Sequence, residues 1–358
     1  MEESKRVRVA ASNIDMASVI CQNSRDNLAA FLKRIEIETN PTWEKEVLSL
    51  MIRDLLLDKP EFLVFIYGRA TLEFLIELWE SDEIELYPSS WTALGQLMLL
   101  GIVDISQASL KDKKDPVIYM VQEAKDKYYY YLKSKTAKAK MDYYSNWEVM
   151  IRGLLSYYGI ISTNQLYCLF CRAIKAPVDD VHFSYFLNIR MDLFHFASFA
   201  LDQNHLVEYY QIYELTDAEK VLQQRREMGP KEYYLPTEDD LLYPAQNNGM
   251  GNWDGIRELA EILIDYMKVE YYETVIMIKS CIVMLQNGES PNMLEEYLIR
   301  CCPEIENFQN KMKAAVLSLY DSVPIFYLKG WNRKALRKRQ RDQLPFRLIQ
   351  GGKQDIEE

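Results

Sequence analysis

Between Trp147 and Ile174 apolar residues recur three and four positions apart, pause at a short extended tripeptide, and resume behind Thr163 and Asn164. That spacing predicts helix, extended link, helix, the opening of a helix-turn-helix or winged-helix unit. Pro177-Val178-Asp179-Asp180 then predicts a further helix with carboxylates near its positive end, running on through HFSYFLNI. The stretch FASFALDQNHLVEYYQI holds two β-rich runs around Asp202-Gln203-Asn204 and reads as a hairpin, the place of a wing.

A similar order occurs upstream. ATLEFLIELW predicts a helix with Leu72, Leu75, Ile76 and Trp79 inward, and SWTALGQLMLLG a second helix opened at Pro88 and ended by Gly101. IVDIS, the charged turn LKDKKDP and VIYMV predict strand, turn, strand, again winged-helix-like. Ahead of this unit, residues 1–12 are polar and read as frayed, and helical spacing follows over Asn13–Glu38. Asn40-Pro41 predicts a capped helix with Trp43, Val47, Leu50, Met51 and Leu55 on its core side. EFLVFIYG fits either a strand or a buried helix.

Downstream of the hairpin, Thr216 with Glu219 predicts a capping box for a charged helix stopped at Gly229-Pro230. KEYYLPTEDDLLYPAQNNGMGNW, dense in Pro, Gly and Asn, is the best linker, although its tyrosines give it surface to pack. From Trp253 four apolar-periodic segments predict an antiparallel helical bundle. The expected fold class is therefore mainly α (α+β): an N-terminal helical region at 1–60, winged-helix-like units at 61–140 and 141–235, and a helical bundle with a basic end at 236–350.

Length and composition agree with two or three ordinary domains. No apolar run approaches the roughly 18 residues that cross a bilayer, and MEESKRVRVAASNID lacks a signal-peptide core, so a cytoplasmic protein without a membrane partner is expected. Six cysteines in such a chain read as reduced thiols. Cys168 and Cys171 form a CxxC without a second ligand pair, and on a helix they are expected to pack as small hydrophobes. Adjacent Cys301-Cys302 has the wrong spacing for a zinc knuckle.

Catalytic patterns do not emerge. His182, His195 and His205 fall in no HExxH or comparable pairing, and phosphate-cradling glycine motifs and GxSxG are missing. Glu238-Asp239-Asp240 reads as an acidic helix start more readily than as a cation site. No enzyme, cofactor or metal is expected. The four tyrosines Tyr128–Tyr131 point to all sides of a helix, either bracing neighbours or offering a stacking surface for bases.

Charge decides between readings of the winged units. The net charge of −11 opposes generic nucleic-acid binding, and no candidate reading helix is basic: Ser90–Leu100 has no Lys or Arg, Asn164–Ile174 has only Arg172, and Val178–Asn188 is acidic at its start. Protein-facing units are the better expectation. Lys329, Arg333, Lys334, Arg337, Lys338, Arg339 and Arg341, by contrast, follow one another with no acid between them. Helical spacing puts Lys334, Arg337 and Arg341 on one face with Arg333 beside them, either a solvated helix end or a site for nucleic acid or an acidic partner.

The C-terminal half carries a resemblance. YELTDAEKVLQQRREMGPKEYYLPTEDDLLYPAQ, a helical bundle and VPIFYLKGWNRKAL are similar to a loosely defined family of uncharacterised bacterial proteins that often end in a SEC-C-type zinc knuckle. The family's P-[ST]-x-x-[DE]-L segment is matched at Pro236–Leu241, and its aromatic or apolar residues before Leu-Lys-Gly at Phe326–Gly330. The likeness covers about residues 147–336 and implies a winged-helix-like region ahead of a charged helix. No cysteine follows Cys302, so the knuckle and any role for metal are not implied here. The expected function is a non-enzymatic interaction or regulatory protein that binds a protein partner through winged and tyrosine-rich surfaces. A nucleic-acid-binding regulator using the basic segment is the alternative.

Overall fold

The computed structural model describes residues 5–105, 117–192, 198–201, 208–229, 231–247 and 249–343. The chain is mainly helical with two small sheets. In the first sheet β1 (Lys5–Ser12) lies between β2 (Glu83–Leu86) and β4 (Val117–Val121), with β3 (Val103–Ile105) at the far edge, in the order β2-β1-β4-β3. Residues 5–12 are thus an interior strand where fraying was expected. KRVRVAAS alternates by two: Val7 is buried against its antiparallel partner Ile84, and exposed Arg6 stands opposite Glu85 with Nε–Oε1 3.3 Å. Parallel pairing with β4 sets Val9 beside Ile118 and Ala11 beside Met120.

The second sheet has the order β5-β7-β6, with β5 at Ile160–Ser162, β6 at Ser198–Leu201 and β7 at Glu208–Gln211. Its chain order is helix Lys135–Tyr158, β5, helix Thr163–Ile174, helix Asp180–Phe186 continued by a π-helical turn Leu187–Asp192, then β6 and β7. The predicted hairpin runs supply β6 and β7. Its turn at Asp202-Gln203-Asn204, His195, His205 and the upstream turn LKDKKDP lie outside the described residues.

The chain divides into two compact units, residues 1–152 with 162–210 and residues 153–161 with 211–358. In the first unit EFLVFIYG resolves as a buried helix, Glu61–Ile66. The helix expected at Asn40-Pro41 starts at Lys45 instead. Asn40 Oδ1 turns back to accept from Thr42 N at 3.0 Å, and Arg25 Nε donates to Trp43 O at 2.9 Å, so the segment is held as a loop. Its core face also differs: Leu48, Ile52 and Leu56 are buried, while Val47 and Leu50 are exposed. KEVLSLMIRDLLLD carries apolar residues on more than one face, and packing against the helices Met16–Ile20 and Arg25–Arg34 selects among them.

The second unit contains the predicted bundle. Helices Ile256–Glu261, Tyr271–Gln286, Pro291–Cys301 and Gln309–Ser322 enclose a core that includes Leu263, Ile282, Leu298, Val316 and Leu319. The charged helix is Ala218–Glu227, and its cap is Asp217, which accepts from Lys220 N at 2.8 Å. Thr216, the expected cap, instead donates from Oγ1 to Asn287 Oδ1 at 3.0 Å. The expected linker is built into the unit. Thr237 and Asp240 form a capping box on helix Glu238–Gln246, and Gly153 approaches so closely that an added Cβ would lie 2.5 Å from Leu241 O.

Buried Arg225 ties the second unit's segments together. Its Nε donates to Phe326 O at 3.0 Å, Nη1 to Ile160 O at 2.5 Å, and Nη2 to Tyr158 O at 2.6 Å. Gly159, at φ +68, lets the chain pass where a Cβ would meet the Phe326 ring at 2.5 Å.

Candidate functional site

Two places carry the sequence's candidate functional residues, and the first is the region around Trp147. The Trp147 ring is buried 5.2 Å from Phe170, 5.3 Å from Phe186 and 5.5 Å from His182. These contacts lock helix Lys135–Tyr158 against the two helices that follow. His182 belongs to this packing. Its backbone N–H donates to the cap Asp179 Oδ1 at 2.7 Å, and its Nε2 lies 3.2 Å from Tyr144 Oη.

Arg190, on the π-helical turn, is wholly buried. Nη2 donates to Tyr67 O, and Nε lies 3.6 Å from Glu148 Oε2, while Nε and Nη1 make no hydrogen bond. Burial pushes its pKa below the ordinary arginine range, and neighbouring Glu148 pulls it back up. The guanidinium also stacks 5.3 Å from the Phe186 ring. Gly68 leaves room for the pair, since a Cβ there would stand 3.3 Å from Glu148 Oε2.

What these helices show to solvent follows directly. Helix Thr163–Ile174 exposes Asn164, Gln165, Cys168 and Arg172. Cys168 therefore faces outward where an interior thiol was expected, and Cys171 is half-buried. From Asp180 to Arg190 the exposed residues are Asp180, Val181 and Asn188, and the single basic residue there is the buried Arg190. The tyrosine run is divided in the same way. Tyr128 is buried, Tyr129 donates to Glu80 Oε1 at 2.8 Å beneath Lys133, and Tyr130, 5.3 Å from the Tyr129 ring, faces outward at 82% exposure. One outward ring supports bracing over a stacking platform.

The second place is helix Arg333–Gln343 with the loop before it. Lys329 Nζ donates to Lys231 O at 2.8 Å over the Tyr233 ring, and partial burial lowers its pKa. Arg333 stacks 3.4 Å from the Tyr320 ring centre and donates from Nη1 to Tyr320 O at 2.9 Å. It faces inward, where sequence spacing had put it beside the outer face. Arg339 lies half-buried 5.0 Å from the Trp331 ring, with Nη2 3.6 Å from Glu232.

The remaining four cations are exposed. Lys334 Nζ meets Asp254 Oδ2 at 2.7 Å, which raises the lysine pKa, and Arg337 pairs with Asp321. Lys338 and Arg341 have no ion-pair partner among the described residues. Sequence periodicity found this stripe except for Lys338, and it gave no sign of the acids and aromatic rings contributed by distant segments.

Comparison with protein-family models, curated proteins and solved structures finds no match. Among the described residues no helix is long and apolar enough to cross a membrane, and no group of three or more His, Cys, Asp or Glu side chains is placed to hold a metal ion.

Proposed function

We propose that the chain is a non-enzymatic interaction or regulatory protein in which residues 135–211 act as a winged-helix unit facing a protein partner. The succession of helix, β5, two helices, β6 and β7, with strand order β5-β7-β6, supports the unit. In the upstream set β1 stands between β2 and β4, which weights the reading toward residues 135–211.

One observation carries the choice of partner. The helix that would enter a DNA groove exposes Asp180, Val181 and Asn188 and buries its arginine. Phosphate contacts by Lys and Arg supply most non-specific affinity for DNA, and this surface has none to offer. Val181, 65% exposed beside two carboxylates, suits an apolar contact with a basic rim. Cytosolic placement and the likeness to the bacterial family over residues 147–336 belong to the same proposal and rest on the sequence features alone.

The test is affinity capture from cell extract with the wild-type chain and with Val181→Glu, keeping proteins whose recovery depends on Val181. Recovery of at least one such protein is expected. No protein partner, or a recovered set indifferent to Val181→Glu, overturns the reading.

A further inference from the structure

We propose that the outward stripe of helix Arg333–Gln343, formed by Lys334, Arg337, Lys338 and Arg341, is a sequence-independent site for nucleic-acid backbone phosphates. It is a second surface, independent of the partner reading above.

The four residues stand at i, i+3, i+4 and i+7, the spacing of a single helical face, and all are exposed. The other cations of the run are occupied elsewhere: Lys329 on a carbonyl, Arg333 on Tyr320, Arg339 on Trp331. Lys334, Arg337 and Arg341, with Gln340, line a surface hollow of ≈ 490 Å³. From Lys334 to Arg341 the helix rises about 10 Å, the length of roughly three successive phosphates along one strand.

Two of the four cations are paired, but these pairs are open to solvent. Side-chain exposure is 68% and 57% for Lys334 and Asp254, and 57% and 35% for Arg337 and Asp321. Such pairs contribute little and exchange readily for a phosphate. Asp254 and Asp321 therefore moderate the site without closing it.

The ligand class follows from what the stripe lacks. It presents no apolar or aromatic side chain, and protein interfaces draw their affinity from buried anchors of that kind. Tyr320 and Trp331, the rings nearest in sequence and packing, are covered by Arg333 and Arg339. Phosphate binding needs cations alone.

The test uses the full chain and fluorescence anisotropy with labelled single-stranded oligo-dT of about 20 nucleotides, titrated between 50 and 200 mM KCl. If about three phosphates are neutralised, log K falls with log salt at a slope of about −2, a loss of about sixteenfold across that range. Replacing all four stripe residues by alanine abolishes binding, and Arg172→Ala leaves it unchanged. Asp254→Asn with Asp321→Asn tightens it severalfold. Circular dichroism of each variant keeps loss of fold distinguishable from loss of charge. No binding at 50 mM, or binding indifferent to the fourfold replacement, overturns the site. Displacement by polyglutamate at equal charge as readily as by unlabelled oligo-dT overturns the ligand class.

Discussion

Each compact unit encloses a buried arginine, and the two are held in different ways. Arg225 gives hydrogen bonds to the carbonyl oxygens of Tyr158, Ile160 and Phe326, so one side chain ties the turn at Gly159 to the segment holding Phe326. Arg190 reaches one carbonyl, Tyr67 O, and relies on Glu148 for its counter-charge, with Nε and Nη1 left without a hydrogen bond. Without Arg225 the carbonyls of Tyr158 and Ile160 lose this donor, while Phe326 O keeps its bond from Lys329 N at 3.1 Å. Removing Arg190 and Glu148 together leaves neither charge unpaired and takes a donor from the Tyr67 carbonyl alone. The same residue type is thus a structural tie in one unit and a replaceable ion pair in the other.

The largest expected effect comes from Arg225→Met. It strands two buried carbonyls, Tyr158 O and Ile160 O, at about 1–3 kcal/mol each, so urea unfolding should show a loss of about 2–6 kcal/mol. Arg225→Lys should recover little, because an ammonium cannot span the carbonyls that the planar fork reaches. Equal stability of wild type and Arg225→Met would erase the contrast between the units.

Glu148→Gln is next, costing about 2–4 kcal/mol by leaving Arg190 buried without its counter-ion. The sharper measurement is the double variant Arg190→Met, Glu148→Gln, which should recover most of that loss. A double variant no better than the single would give Arg190 the same standing as Arg225.

The pH dependence separates the units less. Burial raises the pKa of Tyr67 and Tyr128 in the first unit and of Tyr157 and Tyr158 in the second. A raised folded value favours the neutral phenol, so this stabilisation is complete below the unfolded pKa near 10 and is lost as pH rises beyond it. Phenolate absorbance should therefore appear in two stages, exposed tyrosines first and buried ones together with unfolding. A single smooth titration with the fold intact would contradict it.

The smallest effect is on the acid limb of the first unit. Hydrogen bonds from Lys133 and Tyr129 lower the pKa of Glu80, so its contribution is present above the usual carboxylate range and is lost as pH falls through the lowered value. The group is open to solvent, and Glu80→Gln should flatten the acid limb only slightly. A pronounced change in acid stability would show that the contact is stronger than its exposure implies.

Much of the helical framework was legible because its periodicity was long and unbroken. The bundle after Trp253, the helix ended by Gly101 and the strand VIYMV emerged near their observed places. Failures came where sequence signals were short or redundant. Residues 5–12 alternate, yet three arginines and lysines in that span masked an interior strand as a polar tail. Helix Lys45–Asp58 is apolar on several faces, so its own pattern did not choose the core side. At the candidate site the cationic stripe was visible, but Asp254 and Asp321 lie far from it in sequence. Arg190 carried no signal in the sequence, because nothing local encodes its contacts with Tyr67 and Glu148.

The interior position of β1 has a consequence for how the first sheet is assembled. Arg6 must wait for Glu85 and Arg8 for Val117 before either ladder can close. During synthesis residues 5–12 emerge before residues 83–86 and 117–121 and stay unpaired until both partners exist. Loop closures of that length slow folding, and an alternating strand held open meanwhile is a template for misplaced pairing. A truncation that spares every helix but removes these few residues would leave β2 and β4 as two open edges, trading a folding problem for one of solubility.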